Sequence, residues 1–318
     1  MIMTTTNEAK EQRVLITGAA GFVGRHLIKE FEAYGYTVFT TDVVAELGAL
    51  PNYKKADLCN RDELCALVRE VKPTACVHLG AISFVPDGDK NPAFLLSVNV
   101  AGTVNVAEAI RQHAPGCRLL FVSSSQVYGP VASMDAADAP ISEDAPLLPL
   151  SMYAISKVAA ERAVLAYGNS YGMEVMIARP ANHTGPGQSP RFATVAFAKQ
   201  VLAYKSGSQD KLCTGNLESI RDFTDVRDVV KAYRLIIEQG KAGNAYNITT
   251  DTRIKIGELL AMLQELCGTN APVETDPALY RPTDASQRLD YSKLREHTGW
   301  TPSYNLKQTL QDIIHGIS

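Results

Sequence analysis

The chain has 318 residues, 46% of them hydrophobic and 20% charged, with a formal net charge of -3. That composition belongs to a globular protein with a substantial core in one large or two modest domains. No dense run of Lys or Arg offers a footprint for nucleic acid or a membrane surface, so the sequence points to a small-molecule partner.

Residues 1–12 are polar, lack an apolar signal core and read as a disordered leader; no stretch of the chain is expected to approach a membrane span. Arg13 to Thr17 is a β-branched apolar run, and residues 22–34 place apolar side chains at helical spacing, with Gly18, Gly21 and Gly24 between and within them. This is the pattern of strand, tight turn and helix. Gly18 accepts a positive φ where the strand ends, Gly21 lets a backbone approach a pyrophosphate, and Gly24 lets the helix pack closely on the sheet. The free N–H groups at the helix start favour negative charge. Thr37 to Thr41 forms a second strand, closed by Asp42.

The alternation continues with a short strand over residues 53–58, an amphipathic helix over 61–71, a buried strand over 75–79, a helix over 99–113 and a strand over 118–123. Strand and helix taking turns in this way predicts an α/β fold, a Rossmann-type doubly wound parallel sheet covered on both faces. The residues that leave its strands should face one crevice: Gly18 to Gly24, Asp42, Asp57 with Leu58, Gly80 to Ser83, and Ser123 to Gln126. The loop over 129–150 either covers that crevice or is a solvated connection.

Residues 153–171 are again helical, and Tyr153 and Lys157, four apart, share one face. A strand over 175–179 ends in Pro180 and the turn-rich run to Gln188. Beyond it the alternation weakens. Helices are expected over 192–202, within 222–239, and over 256–266 and 306–314, with a last strand over 245–248. We read residues 13–180 as a dinucleotide-binding domain to which 222–250 returns, and 181–221 with 251–318 as a smaller mixed α/β substrate lobe. Cys59, Cys65, Cys76, Cys117, Cys213 and Cys267 are scattered, without Cys-x-x-Cys pairs or a histidine at ligand spacing. They fit reduced thiols in a cytoplasmic protein better than a disulfide framework or a metal site.

Tyr153 and Lys157 carry the strongest catalytic signal. A phenol of ordinary pKa near ~10 is a poor acid or base at neutral pH, and an ammonium one helical turn away is expected to favour its anion. Ser124, leaving a strand into the same crevice, can hold a substrate oxygen against the phenol. Asp42 accepts hydrogen bonds from two free ribose hydroxyls but repels a 2′-phosphate, which favours NAD(H) and leaves NADP(H) possible.

With these residues in this order, the chain resembles the extended short-chain dehydrogenases/reductases of the nucleotide-sugar epimerase/dehydratase type. The likeness runs from Thr17-Gly-Ala-Ala-Gly-Phe-Val-Gly24 through His78-Leu-Gly-Ala81, Asn99, Ser123-Ser-Ser-Gln-Val-Tyr-Gly129 and Tyr153-Ala-Ile-Ser-Lys157 to Arg179-Pro-Ala-Asn182 and Arg221-Asp-Phe-Thr-Asp225. The resemblance implies that Tyr153 is the acid/base, Lys157 orients the nicotinamide ribose and Ser124 supports the substrate. It implies cofactor contacts from Gly18, Gly21, Phe22, Val23, Gly24, Asp42, Asp57, Leu58, Leu79, Gly80, Ala81, Asn99, Ser123, Pro180 and His183. Substrate contacts are implied for Ser83, Gln126, Asn182, Arg191, Lys199, Arg221 and Arg281, the last in an Arg-Pro-Thr-Asp turn. His183 and the cations Arg191 and Lys199 read equally well as a backbone-satisfied loop residue and as solvated surface, and Trp300 reads as packing.

Within that family a 4,6-dehydratase needs an acid after the catalytic Ser; Ser125 and Gln126 stand there, and neither is an acid or base near neutral pH. The run Asn182-His-Thr-Gly-Pro-Gly-Gln188 with the later Phe197-Ala-Lys-Gln200 is most like GDP-4-keto-6-deoxy-mannose reductases, although Ala181 stands where those often carry an aromatic residue. The expected activity is NAD(P)H-dependent reduction of a nucleotide-linked, GDP-linked 4-keto-6-deoxyhexose at C4. The alternatives are a nucleotide-sugar 4-epimerase with tightly held NAD and, from another class, an idle nucleotide-binding regulator. The resemblance also implies a homodimer formed through the helices over 99–113 and 153–171.

Overall fold

A computed structural model describes residues 11–44, 50–129, 139–280 and 287–317. Six strands, β1 (Arg13–Thr17), β2 (Thr37–Thr41), β3 (Ala75–His78), β4 (Arg118–Val122), β5 (Val175–Pro180) and β6 (Ala245–Ile248), form one sheet. Their spatial order is β6-β5-β4-β3-β1-β2, and every pairing is parallel. Strand residues alternate between two cores, as the pleat requires. Val14 and Ile16 join one cluster and Leu15 the other; Leu120 and Val122 oppose Leu119 and Phe121 in the same way.

Helices α1 (Phe22–Ala33), α2 (Arg61–Val71), α3 (Gly102–His113), α4 (Met152–Tyr171), α5 (Ala193–Lys205), α6 (Val226–Gln239), α7 (Ile256–Cys267) and α8 (Leu306–Ile317) complete the main framework. On one sheet face Leu27, Ile28 and Phe31 of α1 meet Val229, Tyr233, Ile236 and Ile237 of α6. On the other, Leu64, Leu67 and Val68 of α2 meet Val106 and Ile110 of α3 and Val164 of α4. Full burial of a side chain such as Leu27 or Phe31 contributes roughly 1.5–3 kcal/mol, so each layer is held by many such terms. Trp300 is fully buried in the first cluster, and its indole donates to the Asp228 carbonyl at 3.0 Å.

A third cluster, with Phe197, Val201, Leu259, Leu263 and Leu310, joins α5, α7 and α8 over the C-terminal edge of the sheet. Short strand pairs lie around it: Ile220–Asp222 runs antiparallel to Arg253–Lys255, Leu212–Thr214 parallel to Val273–Thr275, and His183–Thr184 parallel to Thr224–Asp225.

Two local expectations fail. Residues 53–58 make no strand: Asn52 takes a left-handed turn (φ 43), Tyr53 makes a single parallel bridge to Thr40, and the backbone from Asp57 bonds the Glu63 carboxylate instead of a ladder. The helix expected to start at Asn99 belongs to a continuous 22-residue run, Pro92–His113, with one π-helical turn at Ser97–Ala101. At a mean hydropathy of 1.5 over its most apolar window, that run is long and apolar enough to cross a membrane by length and composition. This corrects the expectation that no stretch approaches a membrane span; Ser97, Asn99, Thr103 and Asn105 interrupt its apolar residues. In the fold its α3 half packs against α2 and α4.

Candidate active site

The sheet order places β1 between β2 and β3, so the connections leaving β1 and β3 diverge and open a crevice at the C-terminal ends of the strands. A cleft of about 1060 Å³ lies there. Gly18 ends β1 at φ 67, and a Cβ on it would meet the Gly80 nitrogen at 2.7 Å; a Cβ on Gly24 would meet the Ala19 carbonyl oxygen at 2.5 Å. Both positions therefore exclude a side chain, and the turn lies flat against the strand ends with the α1 N-terminus facing the cleft. Asp42 clips this turn: its carboxylate accepts from the Ala20 nitrogen at 3.1 Å and the Val43 nitrogen at 2.7 Å.

The exit from β3 is held by a buried polar chain. The single Thr103 hydroxyl proton goes to the Asn99 carbonyl at 2.6 Å, so His78 Nε2 must donate to Thr103 Oγ1 at 3.0 Å, and Nδ1 accepts from Thr17 at 2.6 Å. Thr17 Oγ1 in turn accepts from the Gly80 nitrogen at 3.2 Å. Burial, reinforced by the Lys157 charge, pushes His78 down to about 3 and keeps it neutral.

Ser124, Tyr153 and Lys157 meet at the centre of the cleft wall. Ser124 caps the short helical turn Ser125–Tyr128, and Ser151 caps α4 by accepting from the Ala154 nitrogen, which starts the helix just before Tyr153. The Ser124 hydroxyl lies by the Tyr153 phenol and favours its anion. Lys157 departs from expectation. Its ammonium donates to the Val122 carbonyl at 2.8 Å and lies 5.1 Å from the Phe121 ring centroid, against 5.9 Å for the Tyr153 ring. Burial pushes Tyr153 up to about 12, opposed only by the Ser124 hydrogen bond, and pushes Lys157 down to about 8, opposed by Glu161. The ammonium thus lies against a strand carbonyl rather than on the phenol, and burial dominates the phenol's pKa.

Of the remaining candidates, Gly21, Phe22, Val23, Asp57, Leu58, Leu79, Ala81, Ser83, Ser123, Gln126, Pro180, Asn182, His183 and Arg221 all line the cleft. His183 stacks at 6.4 Å on Phe22, its Nδ1 lies 3.2 Å from the Ala181 carbonyl, and burial lowers its pKa. Asn99, Arg191 and Lys199 do not line it. Asn99 is buried behind the wall, where Oδ1 accepts from the Ile82 nitrogen and Nδ2 donates to the Ile82 carbonyl and to Ser156. The Arg191 guanidinium stacks 3.8 Å from the Phe84 ring centroid, and Lys199 is exposed on α5. Arg281 and its turn lie outside the described residues, as does part of the loop over 129–150. The described remainder of that loop bonds residues 288–290 through Ile141 and the turn before Gly129 through Leu148.

Sequence reading missed Thr41, Phe192, Asn216, Ser219 and Tyr233, which also line the cleft. Thr41 directly precedes Asp42 on β2, and the others come from distant elements whose approach no spacing announces. Gln188 was visible only as part of a motif. It accepts from Thr184 at 2.7 Å and Thr194 at 3.0 Å and donates to the His183 carbonyl, fastening that loop to α5.

A sequence model of the family described as GDP-mannose 4,6 dehydratase matches residues 15–313. The chain belongs to this family, within the extended short-chain dehydrogenases/reductases. It is 36% identical over 305 residues to GDP-6-deoxy-D-mannose reductase of Pseudomonas aeruginosa, covering 95% of this chain and 96% of that one. It is 33% identical to UDP-glucose 4-epimerase of Mycolicibacterium smegmatis, covering 95% and 97%. Among solved structures, RMD from Pseudomonas aeruginosa complexed with NADPH superposes with a TM-score of 0.85 at 34% identity, covering 96% of this chain and 98% of that one. UDP-glucose 4-epimerase of Thermus thermophilus complexed with NAD gives 0.83 at 27% identity, again covering 96% and 98%. The family thus places reductases, epimerases and dehydratases on this one α/β framework.

Proposed function

We propose that the protein reduces a nucleotide-linked 4-keto-6-deoxyhexose, GDP-linked, at sugar C4 with NADH or NADPH, in nucleotide-sugar biosynthesis. The observation that carries this reading is the meeting of Ser124, Tyr153 and Lys157 in the cleft wall with no carboxylate beside them. Tyr153 is pushed up to about 12. Among the described residues that line the cleft, the carboxylates are Asp42 and Asp57, both at the β2 side, away from Tyr153. A protonated donor suits reduction of a carbonyl, whereas elimination of water from the sugar needs a second acid or base. The likeness to GDP-6-deoxy-D-mannose reductase over the whole chain supports the same substrate class.

The residues fit a nicotinamide dinucleotide. The turn over residues 18–24 lines the cleft through Gly18, Gly21 and Gly24, where the α1 N-terminus suits a pyrophosphate, and Ser123 Oγ and Thr41 Oγ1 are buried without a hydrogen-bond partner. Asp42 would hold the adenine ribose, Asp57 and Leu58 the adenine, and Lys157 with Tyr153 the nicotinamide ribose. When bound, the reduced cofactor supplies hydride to C4. Ser124 donates a hydrogen bond to the C4 oxygen, and Tyr153 gives that oxygen its proton. Asn182, Gln126 and Arg221 would face the sugar nucleotide. Asp42 favours NADH over NADPH because a carboxylate repels a 2′-phosphate.

A 4-epimerase is the second reading, favoured by the 33% identity to UDP-glucose 4-epimerase. Incubation with GDP-4-keto-6-deoxy-mannose and NADH or NADPH separates the two. The reductase consumes one cofactor per product, seen as loss of absorbance; an epimerase leaves this ketone and the free cofactor unconsumed and interconverts the C4 epimers of a 4-hydroxy nucleotide sugar supplied instead. We further propose a cytoplasmic homodimer in which α3 and α4 pair with their copies, where Ile155 and Tyr171 are exposed. Light scattering of a purified sample at one subunit mass contradicts the dimer.

A further inference from the structure

Ser124 and Tyr153 open two different elements, the turn Ser125–Tyr128 and the helix α4. The described part of the chain between those elements, residues 139–151, contains no helix and a single bridge residue, Ile141. Leu148 of this connection bonds the Val127 carbonyl at 3.0 Å, and buried side chains add a second tie. Arg179 of β5, 5% exposed, places Nε 3.1 Å from Glu161 Oε1 and Nη2 2.7 Å from Oε2, a two-pronged fork onto α4. Its Nη1 donates to the Tyr128 hydroxyl at 2.9 Å and to the Glu143 carbonyl at 2.9 Å. Tyr128 closes the turn that Ser124 opens. Glu161 lies one helical turn beyond Lys157 on the same face of α4.

The tie is saturated at its far end. The Tyr128 hydroxyl donates to Asn247 Oδ1 on β6 at 2.7 Å. Asn247 donates through its nitrogen to the Glu143 carboxylate at 2.8 Å and through Nδ2 to the carbonyls of Ile141 at 2.9 Å and Asp290 at 3.0 Å. Glu161 and Asn247 are fully buried and Tyr128 nearly so. A buried ion pair adds little net stability, because removing both charges from water offsets their attraction; fixing one arrangement among several is its better-attested use.

We propose that Arg179 and Tyr128 are positioning residues, which lock the turn carrying Ser124 to the helix carrying Tyr153 and Lys157 so that the two hydroxyls address one substrate oxygen together. This rests on the assignment of Ser124 and Tyr153 to the reaction. It gives Arg179 a role that does not involve substrate: its donors are turned into the protein, toward Glu161, Tyr128 and Glu143.

The test compares Tyr128→Phe with Tyr153→Phe in the full chain, using NADPH and GDP-4-keto-6-deoxy-mannose. Tyr128→Phe keeps the ring against Val127 and Leu289 and both charges of the fork. It is expected to lose about tenfold in kcat, with KM and NADPH affinity within about twofold of wild type, since misplacement below 1 Å is enough for such a loss. Arg179→Met with Glu161→Met removes both partners of the fork; because Glu161 also holds up Lys157, it is assayed at about pH 6, where it is expected to lose at least about tenfold in kcat. Wild-type kcat in either folded variant overturns the proposal. So does failure of both to fold, or a matching loss of NADPH affinity, either of which shows a structural role alone. Wild-type turnover by Tyr153→Phe is a different result: it sinks the functional reading itself.

Discussion

The Lys157 ammonium donates to the Val122 carbonyl at 2.8 Å, and the Tyr153 phenol is left to Ser124. The helix spacing of Tyr153 and Lys157 thus brings the two side chains into one wall without pairing them. Their pKa values move apart: Tyr153 stays protonated far above neutrality, whereas Lys157 titrates near it.

A pH dependence follows. Lys157, pushed down to about 8 by burial and held up in part by Glu161, loses its proton as pH rises through that value. The neutral His78, the Val122 carbonyl and the rings of Phe121 and Tyr153 are its other neighbours, and none carries a charge there. The rate of reduction should therefore fall between pH 7 and 9, with Tyr153 still protonated. In Lys157→Arg, which stays charged, the alkaline limb should move beyond pH 9. A limb at the same pH in both proteins assigns it elsewhere.

Removal of the proton donor should be the severest single change. Tyr153→Phe is expected to lower kcat by roughly 10²–10⁴-fold, and Ser124→Ala by about a hundredfold, each with little change in NADPH binding measured by fluorescence titration. Equal losses in binding and turnover would place both side chains in cofactor binding instead.

Cofactor choice should respond to Asp42. Asp42→Asn keeps an acceptor oxygen for only one of the Ala20 and Val43 amides while removing the charge that a 2′-phosphate meets. The ratio of kcat/KM for NADH over NADPH should fall about tenfold, a change of about 1.4 kcal/mol. An unchanged ratio means that other residues set the preference.

Asp222 should make stability depend on pH in a recognisable direction. It is fully buried, one oxygen lacks a partner, and burial raises it to about 6. A carboxyl that binds its proton more tightly when folded than when unfolded loses stability as pH rises between the two values. Unfolding free energy should thus drop by roughly 1–3 kcal/mol from this residue between about pH 4 and 6. In Asp222→Asn, urea titrations should show that slope flattened; an unaltered slope contradicts the assignment.

Local covalent patterns made much of this molecule legible. The β-branched runs read out as β1 to β6 because strands buried on both faces need little else. The glycines at 18 and 24 were legible because steric exclusion acts within a few residues. The illegible parts depend on approach between distant elements. The strand pair His183–Thr184 with Thr224–Asp225 is two residues long and leaves no pattern. The choice of Val122 by Lys157 depends on where β4 ends beneath α4. Arg191 reads as a phosphate ligand by residue type, yet stacks on Phe84 because two loops meet there.

Transfer of hydrogen to the sugar is the most direct test of the central claim. With NADH or NADPH deuterated at the transferable position and GDP-4-keto-6-deoxy-mannose as substrate, mass spectrometry and proton NMR report where the label goes. The account requires one deuterium at C4 for each cofactor oxidised, in a single C4 epimer of the product. A ketone left unreduced with no cofactor consumed, together with interconversion of C4 epimers when a 4-hydroxy nucleotide sugar is supplied instead, would contradict it and make the protein an epimerase.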